Sequence, residues 1–320
     1  MLVVLPWVLA ACSAPPGGPA LTQQQLMDPA SCKTCHPDAY REWSGSMHAY
    51  ASEDPVFRAM NQRGQRETNG ALGTFCLNCH APMAVRTGAT TDGSNLDALP
   101  DSLKGVSCYF CHSVDAVEGT HNNPLRLASD GVMRGGHRDP MQHGAHASAW
   151  SPLMDRDQAA SATMCGSCHD VRNGHGLDLE QTFAEWKDSV FSRTEGGATC
   201  GQCHMPASLK EMPASTMRDS PLRRVHDHTM PGVDVALTPF PEREEQRRLV
   251  EEALAGTVQS ALCVLPQGAN SRLQLVLDNG GAGHGFPSGA TSDRRFWAEV
   301  LAEQGGVPLY SSGVVLRPRF

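Results

Sequence analysis

Five times in 320 residues, two cysteines stand three positions apart with a histidine directly after the second. Numbered in chain order, site 1 is Cys32, Cys35 and His36; site 2 is Cys76, Cys79 and His80; site 3 is Cys108, Cys111 and His112. Site 4 is Cys165, Cys168 and His169, and site 5 is Cys200, Cys203 and His204. From the chain's own 12 cysteines and 14 histidines, about 0.02 such triplets would arise by chance. C-x-x-C-H is the spacing by which c-type haem is attached: two thioether bonds tie the cysteines to the porphyrin vinyl groups, and the adjacent histidine is delivered beneath the ring as the proximal iron ligand. Zinc ribbons pair two C-x-x-C units around one ion, so an odd number would strand one unit. Five disulfides would leave five histidines without a reason. The spacing therefore predicts five covalent c-type haems.

Nine histidines remain: His48, His121, His137, His143, His146, His175, His226, His228 and His284. An iron that only carries electrons normally takes a second axial ligand, and neutral imidazole is an obvious donor. If residues 38–50 form one helix, His48 lies about 18 Å along the axis from His36. Two nitrogens on one iron are only about 4 Å apart, so His48 is expected to cap a neighbouring haem. His146, His228 and His284 lie in Gly- and Pro-rich stretches able to approach a haem face, and are read as distal ligands too. His121, His137, His143, His175 and His226 read by context as solvated or structural. The thirteen methionines offer a rival ligand that would raise a haem's potential.

The elements that must hold these groups are short. Haem motifs separated by 44, 32, 57 and 35 residues exclude a fixed-period solenoid. The 53 Gly and Pro residues and only 6% aromatics argue against long regular elements around an aromatic core. The expected class is mainly α with low regular structure, short helices and loops wrapped round stacked haems over 29–235, and a helix plus a small β-rich C-terminal unit over 236–320. PDAYREWSGSMHAYA and DLEQTFAEWKDSVFS read as short amphipathic helices with Trp43 and Trp186 as anchors. PEREEQRRLVEEALAGT reads as a charged helix, RLQLVLDN, RFWAEVLAE and VPLYSSGVVL as strands, and Cys263 as a buried inert thiol. The final strand-like run reads as a β unit either truncated or paired elsewhere.

MLVVLPWVLAAC, residues 1–12, has the length of a signal-peptide apolar region and ends as a bacterial lipoprotein signal does, with Cys12 as the acylated residue and 13–28 as a tether. The plainer reading is a secretory signal cleaved among the alanines. Either implies export, the compartment in which c-type haem is attached. A net charge of −8 without a basic run excludes a nucleic-acid partner and favours docking on basic redox proteins.

The stretches CKTCHPDAYREWSGSMHA, GAHASAWSPLM with CGSCHDV, TFAEWKDSVF with CGQCHMP, and NGGAGHGFPSG with RRFW resemble the cytochrome c-554 family, relatives of the hydroxylamine oxidoreductase-like proteins. The resemblance spans roughly residues 30–300. It implies that His48, after Trp43 and Ser46, is a distal ligand to another haem, and that His284, His146 and His228 are distal ligands too. His121 is left as first choice for the fifth iron. The family's best-known member has four haems, so this chain departs from it by one. The function implied is electron transfer between redox proteins outside the cytoplasm, from a membrane anchor, in the periplasm or at the cell surface. Two alternatives stand beside it: a reductase or oxidase with one open haem acting on a nitrogen or sulfur oxyanion, and a subunit of an extracellular cytochrome filament. No motif has the C-x-x-C-K form of the pentahaem nitrite reductases' catalytic haem.

Overall fold

The computed structural model describes residues 20–142, 144–193, 195–290 and 294–314. The signal-like segment with Cys12, the first part of the tether, His143 and the last six residues lie outside them. The remainder of the expected tether carries structure: Thr22 caps the helix Gln23–Met27 through a capping box with Gln25, and Leu26 is buried.

Most helices among the described residues are one or two turns long, and four of them begin on a proline. Pro37–Ser44 begins on a proline and stops at Gly45. The next helix, Met47–Tyr50, is nucleated by the Ser46 side chain accepting from the Ala49 amide. Residues 38–50 are thus two helices and not one. Gly45 sits where a Cβ would collide with the Glu242 side chain, so the break lets another segment approach. The stretch 178–192 also divides, into the strand Asp178–Glu180, the helix Thr182–Asp188 and the 3-10 turn Val190–Ser192.

All sheets among the described residues are two-stranded. The strand Val132–Gly135 pairs in parallel with Ala147–Trp150, and Val114–Val117 pairs antiparallel with Leu125–Leu127. The hydrophobic interior is small. Sixteen apolar side chains are buried among the described residues, most of them in two separate clusters. One gathers Leu26, Met83, Tyr109, Phe110, Val114 and Leu125; the other gathers Phe57, Leu77, Ala81, Ala84, Leu96 and Leu99. A chain of this length ordinarily buries much more, so side chains alone do not make its core.

The charged helix Arg243–Thr257 forms as its pattern predicts, with Gln246 and Val250 buried. The chain leading into it packs onto the N-terminal part: the Tyr50 hydroxyl meets Thr238 Oγ1 at 2.7 Å, and the Tyr50 and Phe240 rings meet edge to face at 4.7 Å. Beyond it lie two hairpins, Gln259–Gln267 with Asn270–Asp278 and Val300–Gln304 with Val307–Ser312. Residues 295–299 of the expected strand RFWAEVLAE are not in a ladder. Cys263 is exposed, contrary to its reading as a buried thiol, as is every other residue of both strands of that hairpin. Among the described residues no helix is long and apolar enough to cross a membrane.

Candidate functional site

Each attachment motif lies on a short helical turn, and the turn explains the motif. Residues three and four apart share one face of a helix, so both cysteines and the histidine project to the same side. The amide of His36 bonds the Cys32 carbonyl at 2.8 Å, that of His80 bonds Cys76 at 3.2 Å, and that of His169 bonds Cys165 at 3.1 Å. Sites 3 and 5 are the helices Cys108–His112 and Cys200–His204, capped by the side chains of Ser107 and Thr199.

The second ring nitrogen of every proximal histidine is held. The Nδ1 atoms of His36, His80, His112 and His204 lie 2.8, 3.1, 2.5 and 2.7 Å from the backbone carbonyls of Ala214, Ala51, Arg134 and Pro231. Donation to a carbonyl fixes the tautomer and leaves Nε2 as the free donor atom. His169 differs: its Nδ1 meets the Glu180 carboxylate at 3.1 Å. Burial disfavours charge on His169, but the hydrogen bond and the negative charge of Glu180 outweigh it and raise its pKa. Burial likewise disfavours the Glu180 carboxylate, and His169 holds its pKa below the usual range.

Four of the expected distal histidines stand across from proximal ones. Two imidazoles on opposite sides of one metal, each nitrogen about 2 Å from it, place their ring centres about 6.3 Å apart. The observed separations are 6.4 Å for His36 and His146, 6.1 Å for His48 and His169, 6.4 Å for His112 and His228, and 6.4 Å for His204 and His284. Each pair joins segments far apart in sequence. Burial, helped by neighbouring histidines, brings the pKa of both His48 and His228 down to about 4, so each is a neutral imidazole, the ligating form, at ordinary pH.

The segments carrying these histidines are tied to the rest of the site. The His48 carbonyl accepts the Val106 amide at 2.8 Å, and the Trp43 indole donates to the Val106 carbonyl at 2.8 Å. Trp43 is thereby a brace for the histidine five residues on. The His228 amide donates to Glu42 Oε2 at 3.0 Å. The His284 loop rests on the helix Thr182–Asp188: Glu185 Oε2 accepts from the Gly285 amide at 3.0 Å and the Ser288 hydroxyl at 2.7 Å. Replacing Glu185 by alanine removes both charge-assisted bonds, each worth about 1.5–3 kcal/mol. We expect Glu185→Ala to free this loop, seen as a high-spin component at site 5 by low-temperature electron paramagnetic resonance.

The remaining expected sites are placed differently. Phe57 lies flat on the His80 ring, 4.0 Å away and tilted by 4°, and no histidine among the described residues faces His80 as the four face their partners. His121, expected as the fifth distal ligand, has its Nδ1 2.9 Å from Thr120 Oγ1 and lines a shallow surface cavity of about 100 Å³ with Asp170, Arg172 and Asp178. His137 and His226, expected to be solvated or structural, form a further ring pair 6.0 Å apart that includes no attachment motif.

The cysteines map the spacing between sites. The Cys32 thiol is within hydrogen-bonding reach of Cys108, Cys79 of Cys168, and Cys165 of Cys200. Cys111 is near enough to Cys165 and Cys168 to disfavour their thiolates, and its own burial pushes its thiol up to about 12. Sites 1 and 3, 3 and 4, 2 and 4, and 4 and 5 are therefore neighbours.

The residues present fit c-type haem. Paired thiols and an oriented imidazole recur at every site, and the apolar interior among the described residues is small. A chain built this way is a c-type cytochrome, a protein that transfers electrons on covalently bound haem. Residues 31–113, which contain the first three attachment motifs, match the family described as cytochrome c554 and c-prime. No curated protein and no solved structure matches the chain.

Proposed function

We propose that this cytochrome is an exported, lipid-anchored pentahaem carrier that passes electrons between redox proteins outside the cytoplasm. The observation that carries the reading is the four imidazole pairs at the separation of one iron's axial ligands, each pair uniting a motif histidine with a histidine from elsewhere. Bound haem supplies reversible one-electron iron chemistry. The chain's part is to hold five attachment sites close together, with site 4 next to sites 2, 3 and 5 and site 1 reached through site 3. Cys12 is the anchoring residue, and a net charge of −8, made more negative by haem propionates, suits basic docking faces on the donor and acceptor.

A second reading has one specific observation in its favour. Site 2 has a phenyl ring beside its proximal histidine and no facing imidazole among the described residues, which suits an iron with an open position. Such an iron would bind a small ligand, and the chain would be a reductase or oxidase of a nitrogen or sulfur oxyanion.

Intact mass should show five haems, and low-temperature spectra four low-spin components and one high-spin. On reduction, carbon monoxide should bind at one haem in five, that of site 2, and leave the rest untouched. Multiple turnover with nitrite or sulfite under a reductant would favour the enzyme reading. Ligand binding without turnover favours the carrier, and five low-spin haems with no carbon monoxide binding would remove the open site altogether.

A further inference from the structure

Site 4 is set apart twice. Its proximal histidine is the one whose Nδ1 meets a carboxylate, where the other four meet backbone carbonyls. Its two rings also stand nearly at right angles, 86°, against 32°, 26° and 12° for the other pairs. Glu180 is built in to this position: it ends the strand Asp178–Glu180, which pairs with Val171–Arg172 just after His169, and its side chain is only 20% exposed. Thr182 Oγ1 approaches the same carboxylate oxygen at 3.4 Å and is itself held by Ser288 at 2.7 Å and the Gly289 amide at 3.1 Å.

We propose that Glu180 is a positioning residue that holds down the reduction potential of the haem at site 4. A carboxylate accepting the Nδ1 proton makes the imidazole a stronger donor through Nε2. A stronger donor, together with a nearby negative charge, stabilises ferric iron more than ferrous, because the ferric site carries one more positive charge. The other four proximal histidines receive no such charge from their carbonyl partners. Since site 4 neighbours three other sites, its potential sets how readily an electron rests at the junction of the assembly. The inference builds on the His48–His169 ligation proposed above.

The perpendicular rings supply a label. Parallel imidazoles donate into the same iron d orbital and split the pair, whereas perpendicular ones donate equally to both, so site 4 should give the most anisotropic low-spin resonance. His48→Ala should abolish that resonance and so assign it. Potentiometric titration of the five-haem protein, followed on this resonance, tests Glu180. Glu180→Gln keeps the shape and removes the charge. It should shift the midpoint upward by at least a tenfold change in the ferrous-to-ferric ratio, about 59 mV for a one-electron couple. Glu180→Asp, which keeps the charge but retracts it by one carbon, should give a smaller upward shift, and the other components should stay in place. If the glutamine variant fails to accumulate, the aspartate variant decides alone. An assigned component that does not move in the variant obtained would overturn the role of Glu180. Survival of the anisotropic resonance in His48→Ala would instead overturn the ligation and the inference with it.

Discussion

On the proposed five-haem ligation, replacing His48 by alanine should convert one haem from low-spin to high-spin while every haem remains attached. His48 stands 6.1 Å, ring centre to ring centre, from His169 of site 4, not from the motif twelve residues before it. Covalent attachment depends on Cys165 and Cys168, which the substitution leaves alone. The intact mass should therefore fall only by the side-chain difference, while about a fifth of the haem absorbance takes on five-coordinate character. Added imidazole, filling the space left by the ring, should restore the low-spin spectrum. A variant with unchanged spin state would show that His48 is not the ligand.

The second large effect concerns the polypeptide without its haems. Among the described residues, sixteen buried apolar side chains in small clusters, with sheets of two strands, are far less than a chain of this size needs against the conformational entropy of folding. On the proposed pairing, iron bonds close stretches of 110, 121, 116 and 80 residues. By the chain-entropy argument for cross-links, a loop of about 100 residues is worth roughly 4–5 kcal/mol, comparable with the whole stability of a small domain. Production where haem is not attached should thus give a chain with little far-ultraviolet dichroism and rapid, non-selective proteolysis. A cooperative thermal transition in that material would show that side chains do suffice.

The helical placement of the C-x-x-C-H motifs was legible in the sequence because it is local: five residues suffice to place two sulfurs and a nitrogen on one helical face. The partners of the histidines were legible only as a set. The reach argument that kept His48 from the iron of site 1 assumed one helix over 38–50, which the break at Gly45 removes, and nothing in PDAYREWSGSMHAYA points to His169, since that contact is made by tertiary structure across 121 residues. Glu180 was invisible for the same reason. In DLEQTFAEW it looks like any acid preceding a helix, and its meaning comes from the strand that turns it back onto His169. Trp43 read as an apolar anchor and Glu185 was not singled out, while their hydrogen bonds to the segment after Lys104 and to the His284 loop give them their positions. The short strands between residues 114 and 150 escaped notice because stretches of three or four residues carry no measurable alternation. Cys263 was misread because ALCVLP has the composition of an interior, and composition does not say whether anything covers it.

The proposed histidine pairs also have a topology. The stretch from 36 to 146 overlaps that from 48 to 169, which overlaps 112 to 228, which overlaps 204 to 284. These are interlinked arcs, like the links of a chain, so no cut between residues 49 and 283 spares every one of them. Such a molecule has no two- or three-haem piece that can be released whole, and site 5 on this pairing waits for a histidine 80 residues beyond its own motif.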